Sequence, residues 1–299
     1  MSKKLAYVAV LIGAILWGTT GTAQTFMPNT IAPLTIASTR LAVGGFTLLI
    51  ALLLMKKISV RGWPWKLTII AGLAMALFQF CFFSSVRLTG VAIGTVVAIG
   101  SAPIFSGILE WVLLKKKPTK NWIIATVLSI IGCVLLFSDK EGMVVNPLGV
   151  ALSLGAGLMF ALYTLFNKKM LKQVDAVPAV AITFSISAAV LLPFLFTSSK
   201  EGILTVPGIL GTLYLGLAAT SIAYIIFSFG LQRISSSSAV TLSLAEPLTA
   251  AVLSFFVVGE RLAFVSWIGV ALLLGGIVVL TFGGSKEEKE MEMKAEIGM

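Results

Sequence analysis

Ten predominantly apolar runs, each about as long as a bilayer is thick, follow one another along this 299-residue chain with only short connections between them. A helix rises 1.5 Å per residue, so about 20 apolar residues cross roughly 30 Å of hydrocarbon. The runs fall at 5–26, 33–55, 67–86, 91–114, 121–137, 148–166, 176–196, 208–230, 239–258 and 264–282. Charged residues make up only 11% of the chain and mean hydropathy is +1.04. A soluble domain carries about a quarter charged residues to cover its surface. This chain cannot cover itself and needs lipid as solvent. The expectation is an all-α membrane protein with ten transmembrane helices and no room for a soluble domain. The start, Met1-Ser2-Lys3-Lys4 and then apolar residues, has signal-peptide character, but with so many similar runs downstream it reads as the first spanning helix.

Charge placement gives the orientation. The formal charge of +10 comes from short basic clusters between apolar runs, with no basic stripe, zinc-finger or RNP motif that would point to nucleic acid. With the N-terminus inside, the inner loops hold Lys3, Lys4, Lys56, Lys57, Arg61, Lys66, Lys115, Lys116, Lys117, Lys120, Lys168, Lys169, Lys172, Arg233 and the tail lysines. The outer loops hold Arg87, Lys140, Lys200 and Arg261. Cytoplasmic loops collect Lys and Arg, so both termini are expected in the cytoplasm. Trp63 and Trp65, in an inner loop, read as interfacial anchors.

The two halves resemble each other. With Pro103 aligned on Pro247, an offset of 144, Gly72-Leu73-Ala74 falls on Gly216-Leu217-Ala218, Phe83-Ser84 on Phe227-Ser228, and Gly132 on Gly276. Trp17-Gly18 has a looser partner in Phe160-Ala161, and Pro33 in Pro178. Each half holds five spans, and five is odd, so the second copy enters the membrane upside down. Charge agrees: Lys115-Lys116-Lys117 aligns with Gly259-Glu260-Arg261, basic inside against lysine-poor outside. Inverted repeats of this kind are a secondary-transporter architecture with the substrate held near the midplane.

Few ionisable groups lie inside the spans, where a charge costs roughly 2.5–3.5 kcal/mol on insertion scales and needs a partner or water. Glu246 stands mid-span directly before Pro247, and its repeat counterpart is the neutral Ala102. Proline removes a backbone donor and frees the carbonyl of Ser243, so carboxylate and carbonyl offer acceptors to a substrate ammonium or a proton. The alternative is that Glu246 pairs with Arg40 or is a protonated acid bonded to a neighbouring helix. Arg40, in the second span, suits a substrate carboxylate through its planar fork, or else snorkels or ties two helices together. Glu110 reads as an interfacial ion pair with Lys115 or Lys116. Gln24 and Gln79 read as interhelical hydrogen-bonding amides. Pro103 and Pro247 read as matched kinks beside a cavity. Trp17, Phe160, Tyr163 and Tyr224 supply its aromatic lining. Ser235-Ser236-Ser237-Ser238 opens the ninth helix with Ser238 as N-cap, and Gly44-Gly45 and Gly275-Gly276 let helices approach closely.

The absences narrow the chemistry. With no histidine there is no His-based triad, HExxH zinc site or imidazole switch. Cys81 and Cys133 sit inside apolar runs without CxxC spacing and read as buried small apolar groups. No Walker motif, GxxxxGK[ST], is present, so the energy for transport comes from a gradient. No cofactor or metal is expected, and no enzymatic role.

The segment from Ala245, with Glu246-Pro247, Gly259-Glu260-Arg261 and Gly269, resembles the C-terminal part of an EamA repeat of the drug/metabolite transporter superfamily. Trp17-Gly18, Arg40 and Ala102-Pro103 match the first repeat; Lys115-Lys116-Lys117 departs from its G-E-R/K pattern, as the inside position explains. The resemblance implies repeats at 5–138 and 147–282 and a charged cytoplasmic tail at 285–299. It implies a ten-helix inner-membrane permease whose relatives move amino acids, amines, purines and other small metabolites, commonly outward. It also implies a cavity built from the first, third, fourth, sixth, eighth and ninth helices. Trp17, Gln24, Gln79, Pro103, Tyr163, Tyr224 and Glu246 are then near the substrate, with Pro247 and Arg40 beside them. The expected function is gradient-driven transport of a small polar metabolite, an amino acid or amine first, by alternating access with protons as a candidate coupling ion. Nucleotide-sugar or nucleobase carriage, a passive channel or a lipid scramblase are the competing readings. A membrane-embedded transferase would need a cluster of His, Asp or Glu at one membrane face, which the sequence lacks.

Overall fold

The protein, described by a computed structural model over residues 2–58, 61–138, 146–197, 199, 201–259 and 261–283, is all helical across those residues. Lys140, Lys200, Glu260 and the expected tail at 285–299 lie outside the described residues. Nine helices there are long and apolar enough to cross a membrane: α1 (Lys3–Thr25), α2 (Pro33–Leu54), α3 (Trp65–Val91), α4 (Ile93–Leu114), α5 (Lys120–Phe137), α6 (Pro147–Met170), α8 (Val206–Leu231), α9 (Ser236–Val258) and α10 (Phe264–Gly283). The tenth, α7 (Ala176–Leu191), is shorter because the seventh apolar run does not hold one helix to 196. The helix gives way before Pro193, which has no N–H to continue the ladder, and one further turn forms at Phe194–Thr197.

Local signals set the helix ends. Ser2 caps α1, Thr119 caps α5 and Asn146 caps α6 through side-chain oxygens that accept the first free N–H groups. Proline stands at the first turn of α2 and of α6, where its missing donor costs nothing. The chain turns from α3 into α4 at Gly90, whose φ of 82° and ψ of 164° suit only glycine. Lys115 and Gly259, which stand 144 residues apart, both end their helices in the left-handed conformation, with φ of 56° and 80°. The glycine of Gly259-Glu260-Arg261 thus answers a backbone requirement, which the first half meets with a lysine.

The prolines behave differently in the two halves. α4 runs unbroken through Pro103. α9 is interrupted at Ser243–Leu244, just before Pro247. There Glu246 N–H reaches back only three residues to the Ser243 carbonyl, at 2.9 Å. The Ser243 carbonyl therefore accepts one backbone bond in place of the one that Pro247 cannot give. A second irregularity carries no proline: Tyr214–Ile222 in α8 is wound as a π-helix.

Packing relates the halves. α2 lies against α7 and α5 against α10, while α1 packs on α8 and α9 as α6 packs on α3 and α4. Ser38 hydroxyl donates to Leu191 carbonyl at 3.2 Å near one end of the α2/α7 contact, and Gly45 abuts Phe184 further along. Ser266 hydroxyl donates to Leu136 carbonyl at 3.1 Å, and Gly276 abuts Ala125. Both pairs are antiparallel. Helices in equivalent places in the two halves run in opposite directions, as an inverted duplication requires.

Glycine makes the closest of these approaches, at Gly44, Gly45 and Gly276 but not at Gly275. A Cβ on Gly276 would stand 2.8 Å from the Ala125 carbonyl oxygen, whereas one on Gly275 meets nothing within 4 Å. Gly276→Leu is expected to destabilise the protein by about 1–3 kcal/mol through overpacking, lowering the midpoint of thermal unfolding in detergent. Gly275→Leu, one residue away, leaves that midpoint unchanged or raises it. Equal losses in the two variants would contradict this packing.

Trp63 and Trp65 part company. Trp65 is 45% exposed, as an interfacial residue should be, but Trp63 is buried with its indole N–H donating to Thr68 at 2.9 Å. Trp63 fastens the start of α3 and does not anchor the protein in the interface.

Candidate functional site

A cavity of about 720 Å³ runs from mid-bundle to the helix ends where α1 finishes, α2 begins and Gly90 turns the chain. It is bounded by parts of α1, α2, α3, α4, α5, α6, α8 and α9, so α2 and α5 join the six helices expected. Its deep end is aromatic. The Trp17 ring lies 4.5 Å from Tyr224 and meets Phe160 edge-on at 6.0 Å. Behind them Phe227, Phe184 and Tyr163 close the stack, with Tyr163 5.8 Å from Tyr224.

Two opposite charges share this apolar chamber. Glu246 follows the break in α9, and the tight turn there brings its half-buried side chain to the cavity wall. Among the described residues no donor is hydrogen-bonded to its carboxylate, and it forms no ion pair with Arg40. Arg40 is buried, with Nε donating to Thr220 Oγ1 at 3.1 Å and Nη2 to the Ala219 carbonyl at 3.4 Å. Both partners belong to the π-helical stretch of α8. π-turns inside α-helices are frequent at functional sites because they displace carbonyls from the regular ladder. Nη1 has no partner among the described residues, so the guanidinium keeps donors for a ligand. The two groups lie close enough to act on each other electrostatically without touching.

Two further donors face no partner. Trp17 Nε1 and Thr20 Oγ1 are buried and unbonded, and both residues line the cavity. A buried donor left empty costs about 1–3 kcal/mol unless water or a ligand fills it. Gln24 is partly committed, donating to the Thr20 carbonyl at 3.2 Å.

Of the nine residues singled out in the sequence, the structure brings seven to the cavity wall: Trp17, Gln24, Arg40, Gln79, Tyr224, Glu246 and Pro247. Pro103 is buried in α4 beside the lining residue Ala102 and does not reach the wall. Tyr163 lies beneath Tyr224, bonded to Asn167. Thr20, Phe78 and Phe82 line the wall although sequence reasoning passed over them, and Ser243, singled out for its carbonyl, lines it too. The stripe Phe78, Gln79, Phe82, Phe83 and Val86 recurs at helical spacing on α3, a signal that would have found the two phenylalanines.

Two other expectations are corrected here. Glu110 does not pair with Lys115 or Lys116: it is buried, and its Oε1 accepts the Ser236 N–H at 2.7 Å. A helix N-terminus offers unpaired donors where an exposed ammonium offers one more solvated charge. The N-cap of α9 is Ser235, not Ser238; its hydroxyl accepts the Ser238 N–H at 3.0 Å. Cys81 and Cys133 are free thiols, Cys133 buried and Cys81 partly so.

Comparison with known proteins places this architecture. The model of the EamA-like transporter family matches residues 4–138 and again residues 147–282. YwfM of Bacillus subtilis, named an uncharacterized transporter, is 46% identical over 288 residues, covering 96% of this chain and 97% of its own. A Salmonella typhimurium protein named a probable amino-acid metabolite efflux pump is 26% identical over 296 residues, 95% of this chain and 96% of its own. A crystal structure covering 96% of this chain superposes with a TM-score of 0.83 at 19% identity, a likeness of fold.

Proposed function

Since the chain belongs to the EamA-like transporter family, and is thus a multi-pass membrane transporter, we propose that it is a gradient-driven exporter of a small zwitterion, an amino acid first. One observation carries this reading: Glu246 and Arg40 line one cavity, unpaired with each other, with an aromatic floor between α1, α6 and α8. Two charges kept apart inside hydrocarbon are costly, and a ligand bearing both complementary charges offsets that cost. In this proposal Glu246 takes the ammonium. Arg40 takes the carboxylate, and the aromatic rings hold the apolar side chain. The name of the Salmonella relative supports the substrate class.

The transport cycle follows from the duplication. The cavity reaches only the lysine-poor ends of the helices, which the distribution of Lys and Arg puts outside. This is the outward-open arrangement, with both termini in the cytoplasm. A carboxylate that accepts either a substrate ammonium or a proton exchanges one for the other, which couples export to the proton gradient.

The test is thermal stabilisation of the purified protein across amino acids, their amines and their deaminated acids. Binding to the folded form alone raises the melting temperature, by an amount equivalent to about 2.7 kcal/mol at a hundred times Kd. An intact amino acid is expected to stabilise more than its amine or its acid. Stabilisation by nucleobases or nucleotide sugars, with none by amino acids, would replace this reading with the competing one.

A further inference from the structure

At the lysine-rich end, opposite the cavity mouth, the turn between α8 and α9 is held from both sides by buried or half-buried charges. Lys168 of α6 donates from Nζ to the Leu231 carbonyl at 3.2 Å and also to the Ile234 carbonyl, at the end of α8. Glu110 of α4, 5% exposed, accepts the Ser236 N–H and the Ser237 hydroxyl at 2.7 and 2.5 Å, at the start of α9. A cation on a helix C-terminus and an anion on a helix N-terminus are each the favourable pairing. Between these contacts and the aromatic floor, Asn167 Nδ2 donates to Tyr163 Oη and Ser228 Oγ, both at 3.2 Å.

The duplication relates this closed end to the open one. The offset of 143 that pairs Trp17 with Phe160 also pairs the cavity-lining Thr20 and Gln24 with Tyr163 and Asn167, and Thr25 with Lys168. The offset of 144 pairs Ser106 and Glu110 with Ala250 and Ser254, which also line the cavity. Lining residues of the open half therefore map onto buried polar residues of the closed half. Ser106 and Ser236 hydroxyls are buried there without a partner, an unusual cost in a finished core and an ordinary one in a passage that opens to water.

We propose that Tyr163, Asn167 and Ser106 line the inner passage of the inward-open state, and that Glu110 and Lys168 hold it shut by clamping the α8–α9 turn. The proposal rests on the transport reading for its cycle, but on the contacts above for its residues. Breaking either clamp shifts the population towards the inward-open state and narrows the outer mouth, because an inverted pair of repeats closes one end as it opens the other.

The experiment uses the full chain with Cys81 and Cys133 replaced by serine and alanine, carrying one reporter, Ser106→Cys inside or its repeat mate Ala250→Cys outside. A membrane-impermeant maleimide is applied to vesicles of either orientation. With Glu110 and Lys168 intact, the outer reporter labels and the inner one is protected. Under Glu110→Gln, and separately under Lys168→Met, inner labelling is expected to rise at least about tenfold, the scale of losing a hydrogen bond to a charged group, while outer labelling falls. Protection of the inner reporter in both variants overturns the proposal. A rise at both reporters together also overturns it, since that is general loosening. Labelling needs no substrate, so a failed gate leaves the substrate reading standing. A failed substrate reading appears only as absent exchange in the otherwise unaltered protein.

Discussion

Glu246→Gln is expected to weaken binding of an intact amino acid by at least about thirtyfold and to reduce its exchange in proteoliposomes accordingly. Removing one partner of a buried charge pair costs about 2–5 kcal/mol, and each 1.4 kcal/mol is tenfold. Glutamine keeps the shape of the side chain and its place after the α9 break, so the loss isolates the charge. The cavity wall offers no replacement, since Glu246 is the acidic residue among those that line it. The deaminated acid, which has no ammonium to lose, should bind the variant about as well as the parent. Undiminished exchange of the amino acid by Glu246→Gln would remove Glu246 from the site.

Arg40→Met is expected to have the mirror-image effect: a loss of about thirtyfold or more for the amino acid, with the decarboxylated amine spared. Methionine fills the same apolar space, and Thr220 keeps its hydroxyl bond to the Leu215 carbonyl at 2.8 Å, so the π-stretch of α8 retains an internal tie. Arg40→Lys should not restore binding. The guanidinium already holds Thr220 and Ala219 and still has N–H groups left, whereas an ammonium is a point charge without that planar fork. Equal losses for amino acid and amine would show that Arg40 only ties α2 to α8. That was the alternative its sequence position left open.

The helices were legible because hydrocarbon leaves the backbone no partner but itself, so run length alone set the ten elements within a few residues. The inverted relation was legible from Pro103 and Pro247, from glycines at matched spacing and from an odd number of spans. Seven of the nine candidate site residues reach the cavity because polar or bulky side chains inside a span have few other places to go. The misreadings share one cause: each depended on which hydrogen-bond partner a polar group would find. Glu110 has lysines nearby in sequence, yet its partners are Ser236 and Ser237, more than a hundred residues away. Ser243 should have lost a donor to Pro247, but a three-residue bond from Glu246 supplied another. The π-winding of Tyr214–Ile222, which gives Arg40 its carbonyl, has no proline or glycine pair to announce it.

Counterflow settles the central claim most directly. Proteoliposomes loaded with an unlabelled amino acid that stabilises the protein are diluted into a trace of the same compound in labelled form. A chamber that opens to one side at a time should concentrate label inside transiently, saturably, and only with Glu246 in place. Flux that rises linearly with concentration and ignores what the vesicles were loaded with would mean a pore open at both ends, contradicting the alternately opened, charge-lined chamber.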